Sequence, residues 1–379
     1  MDTTVKQQQE APLKVKFTPS DAFLKELRNR IDAYFTQTGR KPRDCPQMYL
    51  KTATIIGAFL AGYVLLMFFV SSAWLAIPLA MMLGIAVAAI GFNIQHDGGH
   101  RAYSDRQWVN RIMAMSLDLM GGSSYMWDWK HNSIHHTWAN ITGQDDDIDV
   151  GILGRLSPHQ KRYWFHRAQG FYLWVLYGFL AIKWHFYDDY CSLAKGRIGE
   201  HKVPRPKGWD LAVFIGGKAL FLSWAMVLPM LFHPVLSVIG LYVVGAFTSG
   251  IVLSVVFQLA HCVEEASFPM PDPATGRMET DWAVHQVQTT VDFSRGNRLL
   301  SWFVGGLNFQ VEHHLFHRIC HIHYPALSKV VESVCKESGI RYAANISLIS
   351  ALGSHFRWLQ RMGRPVDCNS AGAVSSAGA

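Results

Sequence analysis

Two long stretches of this chain are almost free of charge. From Thr52 to Gln95 there is no Asp, Glu, Lys or Arg, and from Leu211 to Ala260 the one exception is Lys218. A helix that crosses a bilayer needs about 20 apolar residues. Each stretch therefore accommodates two spans and a tight turn, at Ser71-Ser72 and at His233-Pro234. The expected spans are 52–70, 73–94, 211–232 and 235–259. Two buried core helices per stretch is the alternative, but soluble cores seldom run this far without a charge.

Outside these blocks the pattern turns amphipathic. Phe23, Leu24, Leu27, Ile31 and Phe35 recur at helical spacing behind Ser20 or Asp21 as a cap. This predicts a helix lying on the membrane surface or on a cytoplasmic body. The central segment, 96–210, reads as mostly helical, with apolar and aromatic residues gathered in Gln107–Leu119 and Tyr163–Trp184. The second of these has Arg167 and Lys183 near its ends and is expected to lie in the interface. A fifth crossing there would put the later histidines on the opposite face from the earlier ones. Residues 1–12 are polar and lack the features of a signal peptide. The Ser/Ala/Gly-rich stretch 369–379 is expected to be disordered. The chain divides into an N-terminal segment (1–44), a main membrane domain (45–345) and a C-terminal helix and tail (346–379).

Charge sets the orientation. Lys and Arg crowd the segments before, between and after the two blocks, and neither short turn carries any. By the positive-inside rule both termini and the central segment face the cytoplasm. Lys218 is expected to snorkel to that interface. The formal net charge of +7 suits anionic lipid head groups or a phosphate-bearing substrate, and no nucleic-acid motif accompanies it. The six cysteines form no C-x-x-C pair, so neither a zinc ribbon nor a disulfide framework is indicated.

Histidine carries the chemistry. Of the eighteen histidines, seven fall in three clusters: His96 and His100 in HDGGH, His131, His135 and His136 in HNSIHH, and His313 and His314 in QVEHH. On α-helical spacing His96 and His100 share a face, as do His131 and His135, with His136 displaced by about 100°. Gln310, His313 and His314 again define one face. His261 stands alone at the cytoplasmic end of the fourth span. The orientation deduced from Lys and Arg places all of these on one side of the membrane. Seven histidines exceed the four ligands of one zinc ion and suit two metals with open positions. Imidazole accommodates iron, zinc and copper, and ligand type alone does not choose among them. Asp97 and Glu312, inside the boxes, are candidates for orienting ligand imidazoles through the second ring nitrogen, as is the run Asp145 to Asp149. His317 and His321 continue the face of His313. Trp127 and Trp129 line a channel mouth or pack as interfacial aromatics.

The order H-D-x-x-H, H-x-x-x-H-H, Q-x-E-H-H, each box following a membrane block or lying between them, resembles the membrane fatty acid desaturases, and over roughly 45–345. The glutamine of the third box resembles the front-end type. The resemblance implies an all-α integral membrane protein: four transmembrane helices in two hairpins, with a cytoplasmic helical cap holding a histidine-rich di-metal site. It implies a non-haem di-iron centre, oxygen as co-substrate and an acyl chain carried by CoA, acyl carrier protein or a lipid. The ligands carried over are His96, His100, His131, His135, His136, His313 and His314, with His261 matching by position. Gln310 stands where other desaturases have histidine; it binds metal directly, through water, or not at all. Three features depart from the family. No H-P-G-G haem motif is present, so a separate ferredoxin or cytochrome is expected to deliver electrons. Position 317 is histidine where the family reads H-H-L-F-P. The carrier also varies among relatives. A hydroxylase or acetylenase on the same scaffold is the alternative. A histidine-rich metal transporter would need ionisable residues near the bilayer midplane, and the spans are nearly bare of them.

Overall fold

The computed structural model describes residues 14–365. The polar 1–12 and the Ser/Ala/Gly-rich 369–379 lie outside the described residues. The amphipathic pattern near the N-terminus forms α1 (Ala22–Thr38), closed by Gly39 in the left-handed conformation. Its Phe23, Leu27 and Ile31 pack with Val287, Phe309, Val311, Leu327 and Val331. The helix thus covers the body of the protein.

Four helices are long and apolar enough to cross a membrane: α2 (Pro46–Phe68), α3 (Ala73–Gly99), α4 (Trp209–Met230) and α5 (Val235–His261). They coincide with the expected spans and extend further at the charged ends. Helix α2 begins early because Pro46 occupies its first turn, where the missing N–H costs nothing. Helix α3 runs on through Gln95 into the first histidine box. Helices α3 and α5 cross at glycines: a Cβ on Gly84 would lie 2.2 Å from the Gly245 carbonyl oxygen. Small residues let backbones approach where lipid supplies no hydrophobic drive.

Lys218 does not snorkel. Its side chain is 6% exposed, and Nζ donates to Asp189 Oδ2 at 2.7 Å and to the Gly121 carbonyl at 2.6 Å. A carboxylate within reach inside the protein replaces the head-group layer as its partner. Burial pushes the Asp189 carboxyl up to about 6 against the opposing pull of Lys218.

Between α3 and α4 the chain forms short helical pieces and a small hairpin, β1 (Arg197–Ile198) with β2 (His201–Lys202). The stretch expected to lie in the interface becomes Trp164–Ala168, Gln169–Tyr177 and Leu180–Lys183. Its longest piece has nine residues, too few to span, and it leaves Phe171, Val175 and Phe179 exposed.

After α5 come α6 (Trp282–Thr289), β3 (Asp292–Phe293), α7 (Arg298–Phe303), α8 (Gln310–Phe316), α9 (Tyr324–Glu337), β4 (Ala344–Asn345) and α10 (Leu348–Gly363). Strands β3 and β4 pair in parallel. Buried Val287, Phe309, Val311 and Leu327 fix α6, α8 and α9 to one another. Each such fully buried side chain contributes roughly 1.5–3 kcal/mol.

Candidate metal centre

The histidine boxes are set by local departures from α winding. In α3 one π turn, Gly91–Gln95, precedes His96. Asn93 within it donates from Nδ2 to the carbonyls of Ala89 and Phe303, both at 2.8 Å. The two glycines of HDGGH are steric requirements. A Cβ on Gly98 would lie 2.6 Å from Met113 Cβ, and one on Gly99 would lie 2.2 Å from the Trp127 ring. Trp127 thereby reaches the site. Its ring stacks on His131 with centroids 4.6 Å apart and stands edge-on to His100 at 5.3 Å.

The second box lies in a longer π stretch, Asp128–His135. This changes the expected facing. A π turn closes i to i+5, so residues five apart align. His136 Nε2 comes within 3.3 Å of His131 Nε2. His135 still stacks on His131 at 5.2 Å, but its ring also meets His261 at 4.6 Å and His314 at 4.9 Å.

The structure brings all seven box histidines and His261 together. Ligand-type nitrogens of His96, His100, His131 and His313 lie within 4.8 Å of one another, as do those of His135, His261 and His314. His136 joins His313 and His314 in a set that overlaps both. The arrangement has two poles with shared histidines between them. Gln310 opens α8 beside the second pole, its Nε2 3.0 Å from His261 Nε2.

The residues fit a pair of metal ions. His100 Nε2, His135 Nε2, His313 Nε2 and His314 Nε2 are buried and make no hydrogen bond within the protein. Buried polar atoms are seldom left unpaired, and here they converge. Burial and the neighbouring imidazoles hold His136, His313 and His314 well below the usual histidine range, so they are neutral, as metal ligands must be. Burial also works against protonation of His135, but the Asp145 carboxylate outweighs it and raises that pKa.

Behind the ring of histidines stand their hydrogen-bond partners. Asp145 Oδ2 lies 3.0 Å from His135 Nδ1, and Asp147 Oδ2 lies 3.5 Å from His131 Nδ1. His314 Nδ1 donates to Gln286 Oε1 at 2.7 Å. A partner at Nδ1 fixes the tautomer and turns Nε2 inward. Two carboxylates expected in this role do something else. Asp97 faces His321, with Oδ2 3.0 Å from Nδ1, and Lys51 Nζ donates to the other ring nitrogen of His321 at 2.9 Å. Glu312 points away from the poles and accepts from Tyr342 Oη at 2.9 Å beside Asp292. Helical spacing put both carboxylates near histidines in sequence; the backbone turns them outward.

Asn140 was not singled out by the sequence. It is fully buried in the left-handed region at φ 59°. Its Nδ2 lies 3.0 Å from the His261 carbonyl and 3.1 Å from those of Ser267 and Thr289, while its backbone N–H donates to Asp145 Oδ2 at 2.9 Å. Asparagine is enriched at positive φ, but a single Asn in HHTWAN does not announce such a junction. Gln286 gave no signal either.

Of the other histidines, His317 stands at the edge of the site, 5.1 Å from His100 and 5.0 Å from His136 between ring centroids. His321 and His323 turn toward α2 and the segment before it, where His323 Nε2 donates to the Lys41 carbonyl at 2.9 Å. His285 Nε2 donates to the Ala139 carbonyl at 2.9 Å, and His355 Nδ1 to that of Cys262 at 2.7 Å. Both brace the backbone.

The chain is mostly helical, with four helices apolar enough to cross a membrane and a buried cluster of histidines able to hold metal. Comparison with known proteins names the family: the fatty acid desaturase family model matches residues 72–345. The chain belongs to that family. It is 40% identical to the sn-1 linoleoyl-lipid 6-desaturase of Arthrospira platensis over 92% of this chain and 95% of that protein. A Synechocystis protein of the same description is 39% identical over 93% of this chain and 98% of its own length. The acyl-lipid (8-3)-desaturase of Physcomitrium patens is 37% identical over 93% of this chain and 74% of its own length. The chain is a membrane-bound acyl desaturase, an oxidoreductase of lipid metabolism.

Proposed function

We propose that the chain is a front-end desaturase of lipid-linked acyl chains whose two histidine poles hold two irons. The observation that carries this is the convergence of buried, unpaired imidazole nitrogens from three boxes and α5 on one site. His96, His100, His131 and His313 would hold one ion and His135, His261 and His314 the other, with His136 between them and Gln310 beside the second. Two irons would supply the oxygen activation needed to take hydrogen from an unactivated methylene, beyond the reach of side-chain acids and bases.

The chain's own residues hold and orient. Asp145, Asp147 and Gln286 fix imidazole tautomers. Trp127 packs against His131 and His100 and keeps water from that flank. A cavity of about 870 Å³ lies among the four spans, lined by Phe59, Ala80, Gly84, Phe221, Trp224 and Tyr242. Its lining is mostly apolar and suits part of an acyl chain. The charge pattern supports two hairpins with both termini and the site on the cytoplasmic face. There an external ferredoxin or cytochrome supplies two electrons. Those electrons, two protons and the two hydrogens taken from the chain reduce oxygen to two waters. The lipid-linked substrate follows the relatives' descriptions.

The test is a fatty acid profile. The chain is expressed with a compatible reductase, unsaturated acids are fed, and new double bonds are located by mass spectrometry, with His135→Ala as control. A new bond between an existing one and the carboxyl end, absent in the control, is expected. A hydroxylated or acetylenic product would move the outcome to the related chemistries. Purified protein that binds zinc and no iron would sink the di-iron reading.

A further inference from the structure

Helix α7 and the turn into α10 carry four large apolar side chains that the described residues leave exposed. Leu299 is 84% exposed, Ile346 94%, Ile349 81% and Trp302 46%. Scattered exposed apolar residues are ordinary, but a cluster marks an interaction surface. The position of the cluster identifies its partner. The buried sides of these segments rest on the spans themselves. Trp302 lies under Lys51 of α2, with Nζ 5.0 Å from its ring centroid. Phe303 packs on Ile55, Phe59 and Ile90 of α2 and α3. Leu300, Leu348 and Leu352 pack on Ala88, Phe92, Val256 and Leu259 of α3 and α5. Ile55, Ala88, Phe92, Val256 and Leu259 all lie inside the two nearly uncharged stretches. These segments therefore sit beside the apolar spans.

Charge agrees. There is no Asp or Glu from Phe293 to Val311 or from Ala343 to Pro365. Arg298 is exposed next to Leu299 and, among the described residues, has no carboxylate partner. An arginine at the head of an apolar wedge suits the phosphate layer.

We propose that α7 and the 346–349 turn are seated in the bilayer, with Leu299, Trp302, Ile346 and Ile349 among acyl chains and Arg298 on lipid phosphate. The seat is tied to the metal centre. Gly305 and Gly306, at φ 62° and 70°, turn the chain from α7 toward Gln310. A Cβ on Gly305 would lie 2.2 Å from the Phe92 carbonyl oxygen. Asn308 Nδ2 then pins this turn to Ser301 Oγ at 3.0 Å and the Phe293 carbonyl at 3.1 Å. Lipid packed on α7 thus braces the third histidine box.

The test places spin labels on the full chain in nanodiscs of phosphatidylcholine with phosphatidylglycerol. Leu299→Cys and Ile349→Cys carry the labels, Arg28→Cys on α1 is the aqueous control, and the unsubstituted protein supplies the background. Labels at 299 and 349 are expected to relax several-fold more with oxygen than with a water-soluble nickel chelate, and the label at 28 the reverse. If 299 and 349 behave like 28, the seat is not in lipid. Strong dipolar coupling between labels of two copies would make the occupant a second copy and also overturn the proposal. Adding Arg298→Glu to the Leu299→Cys chain is expected to raise nickel access at 299 several-fold. No change there would refute the phosphate contact.

Discussion

At the scale of single residues, what matters is which atom of a histidine is held. The eight histidines at the poles were legible because imidazole is a distinctive ligand and the boxes cluster. The acidic run Asp145 to Asp149 announces one of their supports, whereas a carboxylate adjacent in sequence need not be adjacent in space. Asp145, ten residues beyond His135, bonds it; Glu312, next to His313, bonds Tyr342 instead. The contrast gives a paired prediction. Asp145→Asn should weaken metal retention roughly 10–100-fold, as loss of a partner behind a ligand histidine does. Glu312→Gln should leave it nearly unchanged. Burial, reinforced by Asp292, pushes the Glu312 carboxyl well above its ordinary value, and the amide is close to isosteric with the carboxyl group. Chelator competition on purified protein, with iron counted per chain, separates the two. If Glu312→Gln loses iron as fast as Asp145→Asn, the assignment of roles is wrong. Asn140 makes a different prediction, because its backbone is left-handed. Asn140→Gly keeps that conformation and loses only the side-chain bonds, each worth about 1 kcal/mol. Asn140→Ala loses the bonds and adds roughly 1–2 kcal/mol of backbone strain. Thermal melting should rank the natural protein, then Gly, then Ala.

Elements were legible where hydropathy speaks and illegible where winding changes. Uncharged runs located all four apolar helices because few other structures need such runs. The π stretches at 91–95 and 128–135 were invisible, since nothing in residue type distinguishes i+5 from i+4 closure. They nevertheless decide which histidines meet: His136 reaches His131 because its turn is wide. Lys218 belongs to the same lesson. A lone lysine near the end of a span predicts snorkelling, but a partner from the 189–195 helix, distant in sequence, holds it inside. Removing one half of a buried pair costs about 3–5 kcal/mol, whereas replacing both halves with apolar groups is often neutral. Lys218→Met should therefore lower the melting temperature in detergent sharply, and adding Asp189→Leu should restore most of the loss. If the double variant melts as low as the single one, the pair is not the source of the stability.

For the whole molecule, charge and hydropathy suggested which way it faces, while its interior emerged only from packing. The apolar cavity among the spans exists because small residues on α3 and α5, among them Ala80, Gly84, Ala246 and Ser249, leave space that aromatic residues of α2 and α4 do not fill. Spacing along one helix cannot reveal such a volume, because it belongs to four helices at once. If acyl chain occupies it, its length should be set by side-chain bulk on the wall. Ala80→Trp projects a large ring into the space without touching any residue of the metal poles. Each methylene excluded from an apolar pocket is worth about 1–3 kcal/mol, so turnover of the longest accepted chains should fall roughly 10-fold or more while shorter chains are spared. Feeding a ladder of chain lengths and reading products by mass spectrometry, with iron content checked to confirm an intact centre, gives the answer. A uniform fall across all lengths would mean a damaged fold. An unchanged ladder with full iron content would mean that the acyl chain lies elsewhere and that this cavity holds bilayer lipid.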